Sequence, residues 1–228
     1  MQDIENIDLT LLKLDDYQEL KKAMIEAYSS MPDTYWKEHQ IKSLISKFPE
    51  GQIVIKVNDH IAGCALSIIV DYDNYDDAHT YKEITGNGTF NTHSPDGDTL
   101  YGIDVFVKPE FRGLRLGRRL YDYRKELCER LNLKGITFGG RIPNYHKVSD
   151  TISPKEYIEK VKRKEIQDPV LNFQISNDFH PAKVLKGYLE GDKASNEYAV
   201  LLKWYNIYYE NFSKKVMPNK KLVRLGLI

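Results

Sequence analysis

The sequence predicts an α/β fold in which a mixed, mostly antiparallel central sheet of about six to seven strands has helices on both faces. Three observations support this prediction. Residues 52–70 have a β-hairpin pattern, residues 100–140 read as a strand, helix, strand unit, and residues 183–189 and 197–208 fit two paired closing strands. At 228 residues the chain is long enough for one domain with a full core.

Two helices are predicted ahead of the hairpin. Residues 14–30 have helical apolar spacing, and a second helix, capped by Asp33 or Thr34, ends before Pro49. In the strand, helix, strand unit the two strands should be parallel, because a crossover helix joins them. The hairpin and the closing pair then make the rest of the sheet antiparallel.

Two insertions interrupt this framework. Residues 71–98 are rich in Asp, Asn, Tyr, Thr and Gly and lack sustained apolar spacing, which is typical of a functional or mobile segment. The second insertion covers residues 141–168. Within it, Ser153, Pro154 and Glu156 fit the N-cap, N1 and N3 positions of a helix. Asp168 is placed to start a further short helix over about 170–177.

Charge and composition exclude several classes of function. Lys plus Arg and Asp plus Glu each number 33, so no net field attracts nucleic acid or a membrane, and a small anionic ligand is favoured over a polyanion. The acidic N-terminal stretch lacks a secretory signal, and no apolar run reaches the roughly 20 residues of a membrane span. We therefore expect a soluble, cytoplasmic protein. Cys64 and Cys128 are expected to be core fillers, and no residue set has metal-ligand spacing, so we predict no metal site.

An arginine-rich turn stands where the helix of the strand, helix, strand unit begins. Its four arginines are Arg112, Arg115, Arg118 and Arg119. Cations at a helix N-terminus oppose the helix dipole, so an anionic partner is expected there. Gly113 and Gly117 let the backbone curl closely around a ligand, and the unpaired N–H groups of a first helical turn suit phosphate oxygens. Acidic residues return within a turn of the cluster, which argues against a nucleic-acid contact.

The segment from Arg112 to Gly117 resembles the pyrophosphate-binding loop of the GNAT superfamily of N-acetyltransferases. That loop has Arg or Gln, two residues, Gly, one residue, then Gly or Ala, and here Arg115 replaces the first glycine. The resemblance implies acetyl-CoA as the cofactor. It implies a pyrophosphate site at Arg112, Gly113, Leu114, Arg115, Leu116, Gly117 and Arg118, and a pantetheine arm paired with the backbone of Val105, Phe106 and Val107.

Three further stretches, GGRIPNYHK, DPVLNFQISNDF and GYLEGDKASNEYAVLLKWYN, are similar to the acetyltransferase module that precedes a carbon-nitrogen hydrolase (nitrilase-type) domain in bacterial proteins. The stretch KLVRLGLI at 221–228 resembles the opening strand of a nitrilase domain. This resemblance implies an acetyltransferase domain over 1–210 and a tail or linker at 211–228 that starts a nitrilase-type domain. A stray edge strand or a free tail is the alternative.

The implied reaction is transfer of an acyl group from a thioester to an amine, which must first lose a proton because an alkylammonium has a pKa of about 10. Asp104, an acid inside an apolar strand, is the first candidate for the base. Glu83, His93 and Asp98 lie in or beside the first insertion and are further candidates, Asp98 also for binding the acceptor. The alternative is that Asp104 bonds a neighbouring loop and the insertion residues form turns.

The general acid of the family is a tyrosine, and the resemblance places Gln174 at its position. A glutamine cannot protonate a thiolate, so the thiolate leaves unaided, or Tyr145 or His146 serves, or catalysis is weak. Arg141 follows two glycines at a strand end, where it either clamps an acidic group of the acceptor or forms a structural ion pair.

The sequence thus predicts an acetyl-CoA-dependent N-acyltransferase that acts on a small-molecule or protein amine. The alternative is a catalytically weak CoA-binding or structural module attached to an amidase domain. The oligomeric state is left open.

Overall fold

A computed structural model describes residues 4–29, 31, 34–75 and 78–211. Its seven strands form one sheet in the order β1-β2-β3-β4-β5-β7-β6, in which only β4 and β5 pair in parallel. The strands are β1 (Ile7–Leu11), β2 (Gln52–Val57), β3 (His60–Val70), β4 (Thr99–Val107), β5 (Gly135–Arg141), β6 (His180–Leu185) and β7 (Ala199–Tyr205). The mixed, mostly antiparallel α/β sheet that the sequence predicts is confirmed.

Helices cover both faces of this sheet. They are α1 (Tyr17–Ala27), α2 (Glu38–Lys47), α3 (Tyr81–Ile84), α4 (Leu116–Arg130), α5 (Pro154–Lys162) and α6 (Pro169–Ile175). On one face, Leu20 of α1 and Leu44 of α2 share a buried cluster with β3 and β4. On the other face, Leu120 of α4 and Leu171 of α6 pack in a second cluster with β5 and β7.

Two predicted helix starts are confirmed by their capping bonds. The Ser153 hydroxyl accepts from the Glu156 N–H at 3.2 Å, and Asp168 Oδ1 accepts from the N–H groups of Val170 and Leu171 at 3.0 Å. The second predicted helix is shorter than expected, because α2 begins at Glu38.

The structure also differs from the expectation at the two sheet edges. The edge strand β1 was not predicted, although its apolar residues alternate with polar ones as a half-buried strand requires. The other edge strand, β6, begins and ends earlier than the predicted 183–189. Gly187 has a φ of +63°, so the chain leaves the extended conformation just after β6.

The feature that creates the site is the separation of β4 from β5. The two strands pair only between residues 99–101 and 135–137, although both continue further. On its other side β4 carries a bulge, because Gly102 lies opposite Ser67 and Asp104 opposite Leu66, which leaves Ile103 unmatched. A bulge bends its strand, so β4 turns away from β5 and a cleft opens at their carboxyl ends.

Several other expectations concern the rest of the chain. Cys64 and Cys128 are buried and free. None of the described helices is both long and apolar enough to cross a bilayer. The nitrilase-like stretch at 221–228 and the cap candidate Asp33 lie outside the described residues.

Candidate functional site

A cleft of about 630 Å³ occupies the gap between the separated strands. Its floor and sides are residues 102–105 of β4 and Phe138, Gly139 and Arg141 of β5, and we use "the cleft" for this space throughout. The segment after α1, the start of α6 and the loop between β6 and β7 complete the walls. The cleft therefore lies at the carboxyl ends of β4 and β5, where the sequence analysis placed Arg141, and Asp104 lines it as well.

Asp104 is partly buried in the cleft and has two side-chain partners. The Tyr28 hydroxyl donates to Oδ1, and the Trp36 indole N–H donates to Oδ2 at 3.3 Å. Burial raises the pKa of the Asp104 carboxyl above its usual range, although these two hydrogen bonds and the charge of Arg124 oppose the rise. A carboxylate that is oriented and more basic than usual suits proton abstraction.

Arg124 of α4 stabilises the bulge of β4 through hydrogen bonds. Only 2% of the residue is exposed. Its guanidinium donates to the Leu66 carbonyl at 2.6 Å, to the Ser67 hydroxyl at 3.0 Å and to the Asp104 carbonyl. Because these oxygens lie on both sides of the bulge, Arg124 fixes the point at which β4 turns away.

A buried chain of hydrogen bonds ends in the cleft at Tyr188, in the loop between β6 and β7. The Tyr188 hydroxyl lies 2.8 Å from that of Tyr101, the last residue of β4 that pairs with β5. The Tyr101 hydroxyl lies 2.8 Å from His79 Nε2. Burial raises the pKa of Tyr188 well above its ordinary value, so the phenol keeps its proton. The sequence prediction missed all three residues.

Arg141 forms the ion pair that was one of its two predicted roles. Its Nε donates to Oδ2 of Asp192 at 2.7 Å, and its Nη2 donates to Oδ1 at 2.5 Å. Asp192 is 1% exposed, and this bidentate contact lowers its pKa although burial alone would raise it. The pair ties the end of β5 to the loop between β6 and β7 beside the cleft.

Glu83 and His93 lie outside the lining of the cleft. Glu83 closes the capping box of α3, with Oε2 accepting from the Thr80 N–H at 2.7 Å, and this bond lowers the pKa of its carboxyl. His93 Nδ1 accepts from the Ile69 N–H at 3.1 Å, and burial lowers the pKa of its ring. Both residues therefore serve the insertion's own structure.

Tyr145 and Asp98 also lie outside the lining. Tyr145 is buried among other tyrosines and donates to the Ile152 carbonyl at 3.1 Å. Burial would raise the pKa of Asp98, but bonds from Lys134, Thr99 and the Tyr72 N–H outweigh it and the net pKa is lowered.

One group of carboxylates has the spacing of a cation site. Atoms of Asp71, Asp73 and Asp98 lie within 4.8 Å of one another. The Lys134 ammonium stands 2.6 Å from Asp98 and 3.6 Å from Asp73. The Lys134 ammonium therefore already offsets part of the negative charge of this acidic group.

The arginine-rich turn has the backbone of an anion-binding loop. Gly113 has a φ of +90°, and Arg115 adopts the left-handed conformation, φ 58° and ψ 20°, as the N-cap of α4. The N–H groups of 113–117 have no hydrogen-bond partner among the described residues. Arg112, Arg115 and Arg118 are exposed and have no ion-pair partner in the same part of the chain. Successive N–H groups beside a left-handed residue form a concave site for anions.

The two glycines of this turn have different roles. Around Gly113 there is open space, and only its backbone conformation requires a glycine. At Gly117 a Cβ atom would lie 2.6 Å from the Phe173 ring, so this glycine lets α4 pack closely on α6. Arg115 thus supplies the left-handed backbone for which the family uses a glycine.

Gln174 of α6, which the sequence resemblance aligns with the tyrosine of the family, lines the cleft. The residue is 5% exposed, and its Oε1 has no hydrogen-bond partner among the residues described. A buried amide oxygen without a donor is costly, so a donor from a bound molecule would stabilise it.

The family profile of the acetyltransferase (GNAT) family matches residues 17–148, which include the bulged strand and the arginine-rich turn. The chain belongs to the GNAT acetyltransferase family. It is 38% identical over 178 residues to an uncharacterized N-acetyltransferase of Bacillus subtilis, YkwB, and covers 78% of both chains.

Two other comparisons extend this result. The chain is 45% identical to the probable hydrolase YhcX of Bacillus subtilis over 174 residues. These residues are 76% of this chain but only 34% of that protein. Among solved structures, the GNAT-like decarboxylase GphF in complex with isobutyryl-CoA has a TM-score of 0.74 at 16% identity, over 86% of this chain and 98% of that one. At this identity the likeness concerns the fold alone.

Proposed function

We propose that this GNAT-family protein is an acetyl-CoA-dependent N-acyltransferase that transfers an acetyl group to an amine by direct attack on the thioester. The observation that carries the proposal is one continuous path. It begins at the unpaired N–H groups of 113–117, follows the free edge of β4 and ends in the cleft beside Asp104.

The residues along this path suit the parts of CoA. The N–H groups of 113–117 and the guanidinium groups of Arg112, Arg115 and Arg118 would hold the pyrophosphate. Residues 105–107 of β4 have no strand beside them on the β5 side, so their edge can pair with the amide groups of pantetheine.

Asp104 would act as the base. When bound, acetyl-CoA supplies an acyl group activated as a thioester. Asp104 would take the proton from the attacking amine, and Tyr28 and Trp36 hold the carboxylate in place for this transfer. The raised pKa of Asp104 brings its basicity closer to that of its substrate.

Tyr188 would act as the proton donor to the CoA thiolate. Tyr188 lines the cleft, its hydroxyl keeps its proton and bonds Tyr101, and Tyr101 in turn reaches His79. The donated proton could therefore be replaced along this buried chain. Gln174 has no proton to give, and Tyr145 lies outside the cleft lining.

The second candidate function is a CoA-binding or structural module without transferase activity. Gln174 in place of the family's tyrosine is the observation that favours it. In this context we also propose that residues 221–228 begin a nitrilase-type domain, since a probable hydrolase is among the relatives. We further propose a cytoplasmic protein that binds neither nucleic acid nor membrane.

Isothermal titration with CoA and acetyl-CoA tests binding first, and the Arg112→Ala and Arg118→Ala variants should weaken it. Release of free thiol from acetyl-CoA is then measured with a panel of amines. Loss of CO₂ from malonyl-CoA is measured in parallel, because a structural neighbour is a decarboxylase. Binding without amine-dependent thiol release would favour a CoA-binding module. No binding at all would refute both the transferase and the CoA-binding module and leave only a structural role.

A further inference from the structure

The acceptor side of the cleft has walls of aromatic rings, and hydrogen bonds within the protein hold several of their polar atoms. The rings belong to Tyr28, Tyr35, Trp36, Tyr81, Phe138 and Tyr188. Tyr81 donates to the Ile103 carbonyl at 2.9 Å, and the Trp36 N–H is bonded to Asp104. Neighbouring rings also support each other, with the Tyr81 and Tyr188 centroids 5.6 Å apart. Rings fixed in this way present apolar faces with a negative π potential, which suit flat apolar groups and cations.

The cations in the lining are already engaged. Arg141 is bonded through two nitrogens to Asp192, and Arg124 donates to two backbone carbonyls and a hydroxyl. The lining contains three carboxylates, Asp104, Glu190 and Asp192, against these two guanidinium groups. A carboxylate on the acceptor would therefore find no free cation and would face Asp104, whereas an ammonium group would be attracted.

The first insertion borders the acceptor side through Tyr81, which lines the cleft. The Gln40 amide donates to the Gly88 carbonyl at 3.3 Å, and the Ser43 hydroxyl donates to the Thr89 carbonyl at 3.2 Å, which ties the insertion to α2. The Tyr81 N–H donates to the Tyr188 carbonyl at 2.8 Å, which ties it to the loop between β6 and β7. A segment held to the elements on two sides of the cleft limits the room for an extended peptide.

We infer that the acceptor is a small primary amine with an apolar, ring-bearing body and no carboxylate. This inference rests on the proposed transfer to an amine. Free amino acids, and the N-termini or lysines of proteins, are the acceptors that it excludes.

The test compares matched acceptors with acetyl-CoA and the full chain. 2-Phenylethylamine carries the ring and amine alone, phenylalanine adds a carboxylate, phenylalaninamide adds a neutral group of similar size, and ethylamine lacks the ring. We expect kcat/KM for 2-phenylethylamine to exceed that for phenylalanine by about tenfold or more, with phenylalaninamide much closer to the better substrate. Phenylalanine or a short peptide acting as well as 2-phenylethylamine would overturn the inference and leave the proposed function intact.

Two variants of Trp36 test the aromatic wall. Trp36→Leu removes the ring and should abolish the preference for 2-phenylethylamine over ethylamine, whereas Trp36→Phe keeps a ring and should retain it. Thermal unfolding of both variants confirms that they fold. An unchanged preference in Trp36→Leu would refute the role of the wall.

A binding measurement separates the inference from the proposed function. The same amines are titrated into the complex with CoA, which cannot react. The same order of affinities without any turnover would support the acceptor class and refute the transferase. No amine binding together with no turnover would overturn both.

Discussion

Replacing Arg115 by glycine separates the backbone role of this residue from the role of its charge. The left-handed conformation costs a non-glycine residue about 1–2 kcal/mol, and glycine adopts it freely. Glycine also gives the unfolded chain more conformational freedom, which cancels about 0.4–1 kcal/mol of that gain in stability. The variant should therefore be as stable as the wild type or more stable by up to about 1.6 kcal/mol, which is about 3–6 °C in Tm for a chain of this length.

The same substitution should weaken CoA binding. Arg115 is exposed, so a contact between its guanidinium and a phosphate is screened by solvent and contributes about 1 kcal/mol, which is about fivefold in Kd. The loss should shrink as salt is raised, because screening removes the contact in both proteins. Isothermal titration with CoA at two ionic strengths measures it.

Lys164 offers a matched control, because it is also an exposed cation with a positive φ, 63°, and it lies after α5. Lys164→Gly should change stability by a similar amount and leave CoA affinity unchanged. Arg115→Gly with unchanged or tighter CoA binding would refute the phosphate contact, and a marked loss of stability would refute the assigned backbone conformation.

Three further predictions concern the cleft and its supports. Asp104→Asn should lower kcat/KM by about 10²–10⁴-fold. Because the pKa of Asp104 is raised in the folded protein, the wild type loses stability as pH rises through that pKa. In urea unfolding, the stability of the variant relative to the wild type should therefore increase over the same pH range. Arg124→Met should cost about 1–3 kcal/mol of stability for each buried carbonyl left without a donor. Because the charge of Arg124 lowers the pKa of Asp104, the same variant should move the acidic limb of the pH-rate profile to higher pH, whereas Arg124→Lys should keep that limb in place. Gly117→Ala should cost about 1–3 kcal/mol by overlap with the Phe173 ring, and Phe173→Leu should recover part of the loss in thermal unfolding of the double variant.

The arginine-rich turn and Asp104 could be predicted from the sequence because their signals are local. Four cations at a helix start and an acid within an apolar strand are visible in windows of a few residues. The helix starts at Ser153 and Asp168 were visible for the same reason. Even the unusual Arg115 was apparent as a departure from the loop pattern, although its left-handed backbone was not.

The walls of the cleft could not be predicted in this way, because tertiary packing assembles them. Tyr28 and Trp36 bind Asp104 from positions 76 and 68 residues earlier in the chain. Their placement depends on the packing of α1 and α2 in the buried cluster with β3 and β4, and no local pattern marks either residue. Glu83, His93 and Asp98 were favoured by residue type alone, and their partners lie within the insertion or beside it.

The pair Gly139 and Gly140 links the two sides of the proposed chemistry. Successive residues of a strand point to opposite faces of the sheet. A Cβ atom at 139 would overlap the Tyr188 ring, and one at 140 would overlap the Gln174 amide. The two glycines therefore make room for Tyr188 on the acceptor face and for Gln174 on the face of α6.

This arrangement gives a physical reason why a glutamine is compatible with activity at the position of the family's tyrosine. If Tyr188 supplies the proton, the residue at 174 need only accept a hydrogen bond, and the buried Oε1 of Gln174 can do so. Tyr188 is held by Tyr101, Tyr101 contacts His79, and the ring position depends on Gly139. Under the proposed function the proton donor thus lies in the loop between β6 and β7, on the opposite face of β5 from Gln174 of α6.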